Sequence, residues 1–479
     1  MPRLRHLFLY WSCLLPLLAQ AADSLPPPVA AALARSGVPA SAAAVWVQAL
    51  DAPRPRVAHN AERPQNPASV MKLLTAWAAL ENLGPQASWT TRVAADAVPS
   101  PQDRLAGNLY LVGSGDPVLS QERLGRLLRQ IRGMGVKTIG GDLILDPGIF
   151  PLPPFDPGAF DGRGDRPYNA GPAGLILNFT ALRITLVTQP GSPRPWLMAD
   201  PPLAGLSLEN RVSQEPGPCE AWHRQLVARL EPKREGGQNL VVEGRWRTDC
   251  GRRDWNLSPL PPEAFNPALV EALWRELGGE LEGRVRLGST PPQAMTLLED
   301  RSPPLAEVVR DMNKWSNNLI ARQLLLTLGQ GAAEPGEDLT TAGIRVVNDS
   351  LARTGIDTRG LIMENGAGLS RSARVRTTTV GQVLLAAWRS PFMAEFMAAL
   401  PVAGRDGTAR RRLEGSPAAG YAHLKTGSLE GVVSMAGYVL DRQGRRHGVV
   451  MVVNHPNADA SREAQDALVE WVWAGSPRP

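Results

Sequence analysis

Three short stretches carry side chains suited to acyl transfer: Ser69-Val70-Met71-Lys72, Ser316-Asn317-Asn318 and Lys425-Thr426-Gly427. The first pairs a hydroxyl with an amine three residues on, a spacing that puts both on one face of a helix, about one turn apart. A serine hydroxyl is a poor nucleophile until a base takes its proton. A lysine can be that base when burial or positive neighbours disfavour its charged form. Val70, Met71, Leu73, Leu74 and Trp77 supply the apolar surroundings, and a position near a helix N-terminus favours an alkoxide.

In the second stretch, Ser316 and Asn318 alternate, so in an extended turn both project to one side. The hydroxyl can pass a proton on, and the amide can hold a substrate carbonyl. The same residues also suit a plain helix N-cap before Leu319-Ile320-Ala321. In the third stretch, Gly427 removes a side chain where a ligand backbone must approach. Thr426 offers a hydrogen bond to a carboxylate and Lys425 adds positive charge. The amide of Ser428 is placed to share an oxyanion with the amide of Ser69. Gaps of 247 residues from Ser69 to Ser316 and 109 from Ser316 to Lys425 must be closed by folding.

The elements that would position these groups are legible in outline. A strand is expected over Ser41 to Leu50, with a return over Arg56 to His59. A helix is expected from Ala68 to Leu83, stopped by Gly84-Pro85. Helical periodicity returns at Leu305 to Met312, Leu319 to Leu328 and Val380 to Trp388. Strands follow at Tyr421 to Lys425, Val432 to Leu440 and Gly448 to Asn454, the last two joined by the turn Asp441-Arg442-Gln443-Gly444. A terminal helix fits Ala458 to Trp473. Between Thr90 and Thr290 the texture changes to short β-like runs split by Pro/Gly-rich connections. The fold class is therefore α+β: one mixed domain, built from residues 22–89 and 291–479, with an antiparallel sheet from both ends of the chain. A large β-rich insertion, residues 90–290, interrupts it and has room for two subdomains.

Composition fits that outline. The 479 residues exceed one ordinary domain, and 43% hydrophobic with 20% charged residues is a globular balance. Residues 1–21 read as a cleavable export signal: Arg3 and Arg5, an apolar run from Leu7 to Leu18, then Ala19-Gln20-Ala21. That predicts a periplasmic protein. Bulky Tyr10-Trp11-Ser12 argues against lipidation at Cys13. Removing the segment lowers the net charge from +5 to +3, because it holds those two arginines and no acid. Arg410-Arg411-Arg412 and the group Arg245, Arg247, Arg252 and Arg253 read as solvated basic faces, with no nucleic-acid motif beside them. The Trp471-Val472-Trp473 end lacks a basic amphipathic anchor, which leaves at most loose membrane association. In an oxidising compartment the remaining pair, Cys219 and Cys250, is expected to form a disulfide, stabilising by roughly 3–4 kcal/mol. Six histidines without ligand spacing and the lack of Cys-x-x-Cys leave no metal site and no cofactor in the reading.

In that order, the three motifs resemble the signature of serine β-lactamases and penicillin-binding proteins. The chain resembles the class C, low-molecular-mass penicillin-binding proteins, which are D-alanyl-D-alanine carboxypeptidases/endopeptidases. Asn66 to Thr75 is close to that family's Pro-Ala-Ser-x-x-Lys-x-x-Thr context. Gly115-Asp116-Pro117, Glu364 to Arg371 and Leu400 to Tyr438, with Gly404-Arg405-Asp406-Gly407-Thr408, also match. Asn317 stands where many relatives have Asp, and Ala367 replaces a common serine. The resemblance implies domains inserted between the first and second motifs, a serine β-lactamase/transpeptidase-like fold and peptidoglycan stem peptides as substrate. It also implies β-lactams as covalent inhibitors. It assigns Ser69, Lys72 and Ser316 to catalysis, and Asn318, Lys425, Thr426, Gly427 and Ser428 to substrate binding. Asp161, Asp165 and Tyr168 are candidates for recognising a diaminoacid side chain. A β-lactamase is disfavoured by the long first gap, and a Ser-His-Asp hydrolase by the lack of G-x-S-x-G. His423 reads as packed beside its strand.

Overall fold

Runs such as Ala43-Ala44-Val45-Trp46-Val47 and Val449-Val450-Met451-Val452-Val453 are apolar at every position, so strands made from them must be covered on both faces. In a computed structural model, which describes residues 24–99, 103–234 and 236–475, they form the centre of a five-stranded sheet. Its strands are β1 (Ala43–Ala49), β2 (Val57–His59), β3 (Ala422–Leu429), β4 (Val432–Leu440) and β5 (Arg446–Asn454). They lie in the order β3-β4-β5-β1-β2, antiparallel throughout. The two ends of the chain thus meet where Val45 faces Met451. The expected export signal lies outside the described residues.

Two compact units divide the chain. The first takes Met1–Gln86, Leu305–Asn317 and Gly331–Pro479. Its helices are α1 (Pro27–Arg35), α2 (Lys72–Leu83), α3 (Leu305–Lys314), α4 (Leu339–Arg353), α5 (Thr377–Arg389), α6 (Met393–Ala398) and α7 (Arg462–Trp473). On one face of the sheet, Val29 and Leu33 of α1 and Leu468 and Val472 of α7 join Val45, Met435 and Met451 in one apolar cluster. On the other face α5 lies against β1 and β5, and α2 packs on α3, α4 and α5. At about 25 cal/mol per Å² of apolar surface, this two-sided burial is the main force holding the sheet together.

The second unit is Ala87–Pro304 with Asn318–Gln330. It contains a five-stranded sheet centred on Leu109–Val112 and three sheets of three strands each. Cys219 and Cys250 are joined by a disulfide. The unit also holds helices at Gln121–Gly133 and Pro262–Glu276, where only β-like runs were expected. The first is amphipathic, burying Leu124, Leu127, Leu128 and Ile131, and the Ser120 hydroxyl caps it by accepting from Arg123 N. Helix Asn318–Gln330 belongs to this unit although the sequence outline runs the catalytic part through it. The reason is packing: Leu319 clusters with Ala170 and Ile176, and Gln323 Nε2 donates to the carbonyls of Gly115 (3.1 Å) and Ala173 (2.9 Å).

Candidate active site

Ser69 sits on a 3-10 turn, Ala68–Met71, and Lys72 begins α2. The single helix expected from Ala68 is therefore split. The tighter turn, with three residues per turn, brings positions three apart almost into eclipse. Lys72 Nζ accordingly donates to Ser69 Oγ at 3.1 Å and to the carbonyl of Ala367 at 2.7 Å. Lys72 is fully buried while Ser69 stays partly accessible.

The turn is held from three sides. Asn66 Oδ1 accepts from Ala68 N at 2.9 Å, and Ser434 Oγ donates to Pro67 O at 2.6 Å. The loop presenting the Ala367 carbonyl is shaped by Asn365, which accepts from Ala367 N and donates to Leu369 O (3.0 and 2.7 Å). Thr75 Oγ1 ties the same loop to α2 through Gly366 O, at 2.8 Å. Gly368, at φ +74°, cannot be replaced cheaply, because a Cβ there would stand 1.9 Å from Ala68 O.

Ser316 follows α3. Asn317 N donates to Met312 O at 2.9 Å, the six-to-one bond of a Schellman cap. Ser316 therefore occupies the left-handed position, φ +56°, where glycine is the usual residue. Holding a serine there costs roughly 1–3 kcal/mol, the kind of local strain that clusters at functional sites. Ser316 thus ends α3 and does not cap a helix start, while Asn318, the last residue of the motif, begins the helix Asn318–Gln330.

Lys425 Nζ donates to Ser316 Oγ at 2.8 Å and to Thr426 O at 2.6 Å. The lysine is fully buried, and desolvation lowers its pKa from 10.5 to about 7. Its ammonium therefore serves Ser316 instead of supplying open positive charge on the strand surface, as the sequence reading had it. Two serine–lysine pairs result, Ser69–Lys72 and Ser316–Lys425.

Gly427 has a different reason from the one read in the sequence. A Cβ there would stand 2.4 Å from Ser434 Oγ, 2.8 Å from Ser69 N and 2.9 Å from Pro67 O. What approaches the strand is the protein's own Ser69 turn. β3 is the edge of the sheet. On its outer side Leu424 N donates to Pro401 O (2.7 Å), and Ala422 O accepts from Ala403 N (2.9 Å). Alternation along an antiparallel strand points the amides of Thr426 and Ser428 to that same outer side. Thr426 Oγ1 lies 2.9 Å from Thr408 Oγ1, and Ser428 Oγ accepts from Arg462 Nη2 at 2.9 Å. The segment carrying Thr408 is pinned by Lys314 Nζ, two residues before Ser316, which donates to Asp406 Oδ2 at 2.6 Å.

In the second unit Asn318 Nδ2 donates to Tyr168 O at 2.9 Å. Tyr168 Oη donates to Asp161 Oδ2 at 2.8 Å, whereas Asp165 pairs with Arg166. His423 is half-buried on β3, and burial lowers its pKa. Among the described residues no group of three or more His, Cys, Asp or Glu side chains is arranged to hold a metal ion. The roles of the Ala367 carbonyl, Thr408 and Arg462 were missed from sequence. Ala367 and Thr408 each lie inside a segment that matches the family, whereas nothing in the sequence marked Arg462.

The chain resembles known proteins over nearly its whole length. It is 31% identical to a D-alanyl-D-alanine carboxypeptidase of Actinomadura sp. (strain R39), across 84% of this chain and 76% of the relative. It is 26% identical to D-alanyl-D-alanine carboxypeptidase DacB of Haemophilus influenzae, across 81% of this chain and 80% of the relative. The crystal structure of penicillin binding protein 4 from Haemophilus influenzae has a similar fold, with a TM-score of 0.72 at 24% identity, covering 89% of this chain and 96% of that one. The model of the D-Ala-D-Ala carboxypeptidase 3 (S13) family matches residues 27–474, and the chain belongs to that family.

Proposed function

We propose that the protein is a serine-type D-alanyl-D-alanine carboxypeptidase/endopeptidase, exported to the periplasm, that trims or cleaves peptidoglycan stem peptides through an acyl-enzyme. The observation that carries this reading is the 3.1 Å contact between Ser69 Oγ and the fully buried Lys72 Nζ. The Ser316–Lys425 pair and the open edge of β3 supply the remaining groups. Lys72 takes the Ser69 proton, and Ser69 Oγ attacks the carbonyl carbon of the D-alanyl peptide bond. The amides of Ser69 and Ser428 hold the tetrahedral oxyanion. The C–N bond breaks as Ser316, hydrogen-bonded by Lys425, relays the proton held by Lys72 to the departing amine. Thr426 and Ser428 fix the terminal carboxylate, and Asn318 steadies the substrate backbone. Water then hydrolyses the ester. Penicillins present the same amide and carboxylate and acylate Ser69; the name of the similar penicillin binding protein 4 supports this. Among the described residues no helix is long and apolar enough to cross a membrane, and the sequence reading allows loose membrane association at most.

Digestion of purified wall fragments, followed by mass with and without penicillin, tests the proposal. Penicillin-sensitive loss of one D-alanine, or cleavage of crosslinks, is expected. Unchanged fragments would refute it.

A further inference from the structure

We infer that Arg462 sets the preference for a free terminal carboxylate by holding the Ser428 hydroxyl as a hydrogen-bond donor. The inference rests on the reading above and names a positioning residue for it. Arg462, the first residue of α7, reaches back to the exposed end of β3, where its Nη2 donates to Ser428 Oγ at 2.9 Å. A guanidinium has donors only and a hydroxyl has one proton. Ser428 Oγ must therefore accept from Arg462, which leaves its proton for another acceptor. Two residues back, Thr426 Oγ1 lies 2.9 Å from the exposed Thr408 hydroxyl. When Thr408 donates, the Thr426 proton is likewise turned outward.

Residues two apart on a strand share a face. The outer edge of β3 thus offers two hydroxyl donors in register, matching the two oxygens of one carboxylate. The arginine's charge also favours an anionic ligand over a neutral one, since charge-assisted hydrogen bonds are about twice as strong as neutral ones. Asp459 opposes it: the same Nη2 donates to Asp459 Oδ1 at 2.8 Å, so that carboxylate both anchors the guanidinium and offsets its field. A side chain that served only to pin α7 would affect acid and amide substrates alike.

The test uses the full chain and two peptides, one ending in D-alanyl-D-alanine and the other its carboxamide. Loss of one charge-assisted contact predicts that Arg462→Ala raises KM for the acid about tenfold with kcat within about twofold, leaving the amide unchanged. Arg462→Lys should recover most of the loss, and Asp459→Asn should lower KM for the acid. If Arg462→Ala fails to fold, Arg462→Gln is measured in its place, with the same expected selectivity loss. Equal effects on acid and amide, or an unchanged KM for the acid, would overturn the inference. A wild-type protein that releases neither D-alanine from the acid nor D-alaninamide from the amide would refute the proposed function instead.

Discussion

Replacing Gly427 by alanine tests how closely the strand must approach Ser69, the proposed nucleophile. The added methyl would meet Ser69 N at 2.8 Å and Pro67 O at 2.9 Å. Ordinary van der Waals contact begins near 3.4 Å, so the Ser69 turn must retreat by roughly half an ångström. It cannot tilt freely, because Ser434 Oγ grips Pro67 O and would itself stand 2.4 Å from the methyl. A retreat of that size moves the Ser69 amide out of line with the Ser428 amide and lengthens the Ser69–Lys72 contact. Misplacement by about 1 Å can lower a rate about 100-fold, so acylation by a fluorescent penicillin should slow by roughly 10- to 100-fold. Overpacking of this kind also destabilises by about 1–3 kcal/mol. The assay is stopped-time labelling alongside thermal unfolding, with Gly133→Ala, where a Cβ meets nothing within 4 Å, as a control for a glycine away from the Ser69 turn. A folded Gly427→Ala protein that is labelled at the wild-type rate would refute the reasoning.

Lys72→Ala removes the proposed proton acceptor and should cut acylation by several orders of magnitude, as losing one member of a catalytic unit does; near-normal labelling would take Lys72 out of the mechanism. Lys425 has a folded pKa of about 7 against 10.5 for an unperturbed side chain. Between those values the unfolded chain binds more protons, so stability rises with pH over that window and levels off below pH 7. Lys425→Met should flatten this slope, on the order of a few kcal/mol across the window, in chemical denaturation measured at stepped pH; an unchanged slope would refute the assignment. Cys219→Ser with Cys250→Ser should destabilise by roughly 3 kcal/mol, read as an earlier denaturation midpoint that reductant no longer shifts.

The sheet was readable because its strands are apolar on both faces: β4 falls at the expected Val432 to Leu440, and β1 and β5 begin within two residues of their expected starts. The motif serines and lysines were readable because their chemistry lives in side chains. Helix Gln121–Gly133 had its cap and its i, i+3, i+4, i+7 pattern, but the surrounding β-like runs hid it. Helix Pro262–Glu276 carries Pro267 inside it, which normally argues against a helix. In α4, Thr340, Thr341, Ile344, Val346 and Val347 dilute helix propensity, although Asp338 caps it by accepting from Thr341 N. The Ala367 carbonyl and the left-handed turn at Ser316 are backbone features that no side-chain spacing encodes. The burial of Lys425 under Ser316 depends on the register of β3 against a helix end 109 residues away.

The most direct measurement is intact mass followed by peptide mapping after reaction with benzylpenicillin. One penicilloyl adduct is expected, carried by the peptide containing Ser69 and absent from Ser69→Ala. An adduct on any other residue, or none at all on the folded wild-type chain, would contradict it.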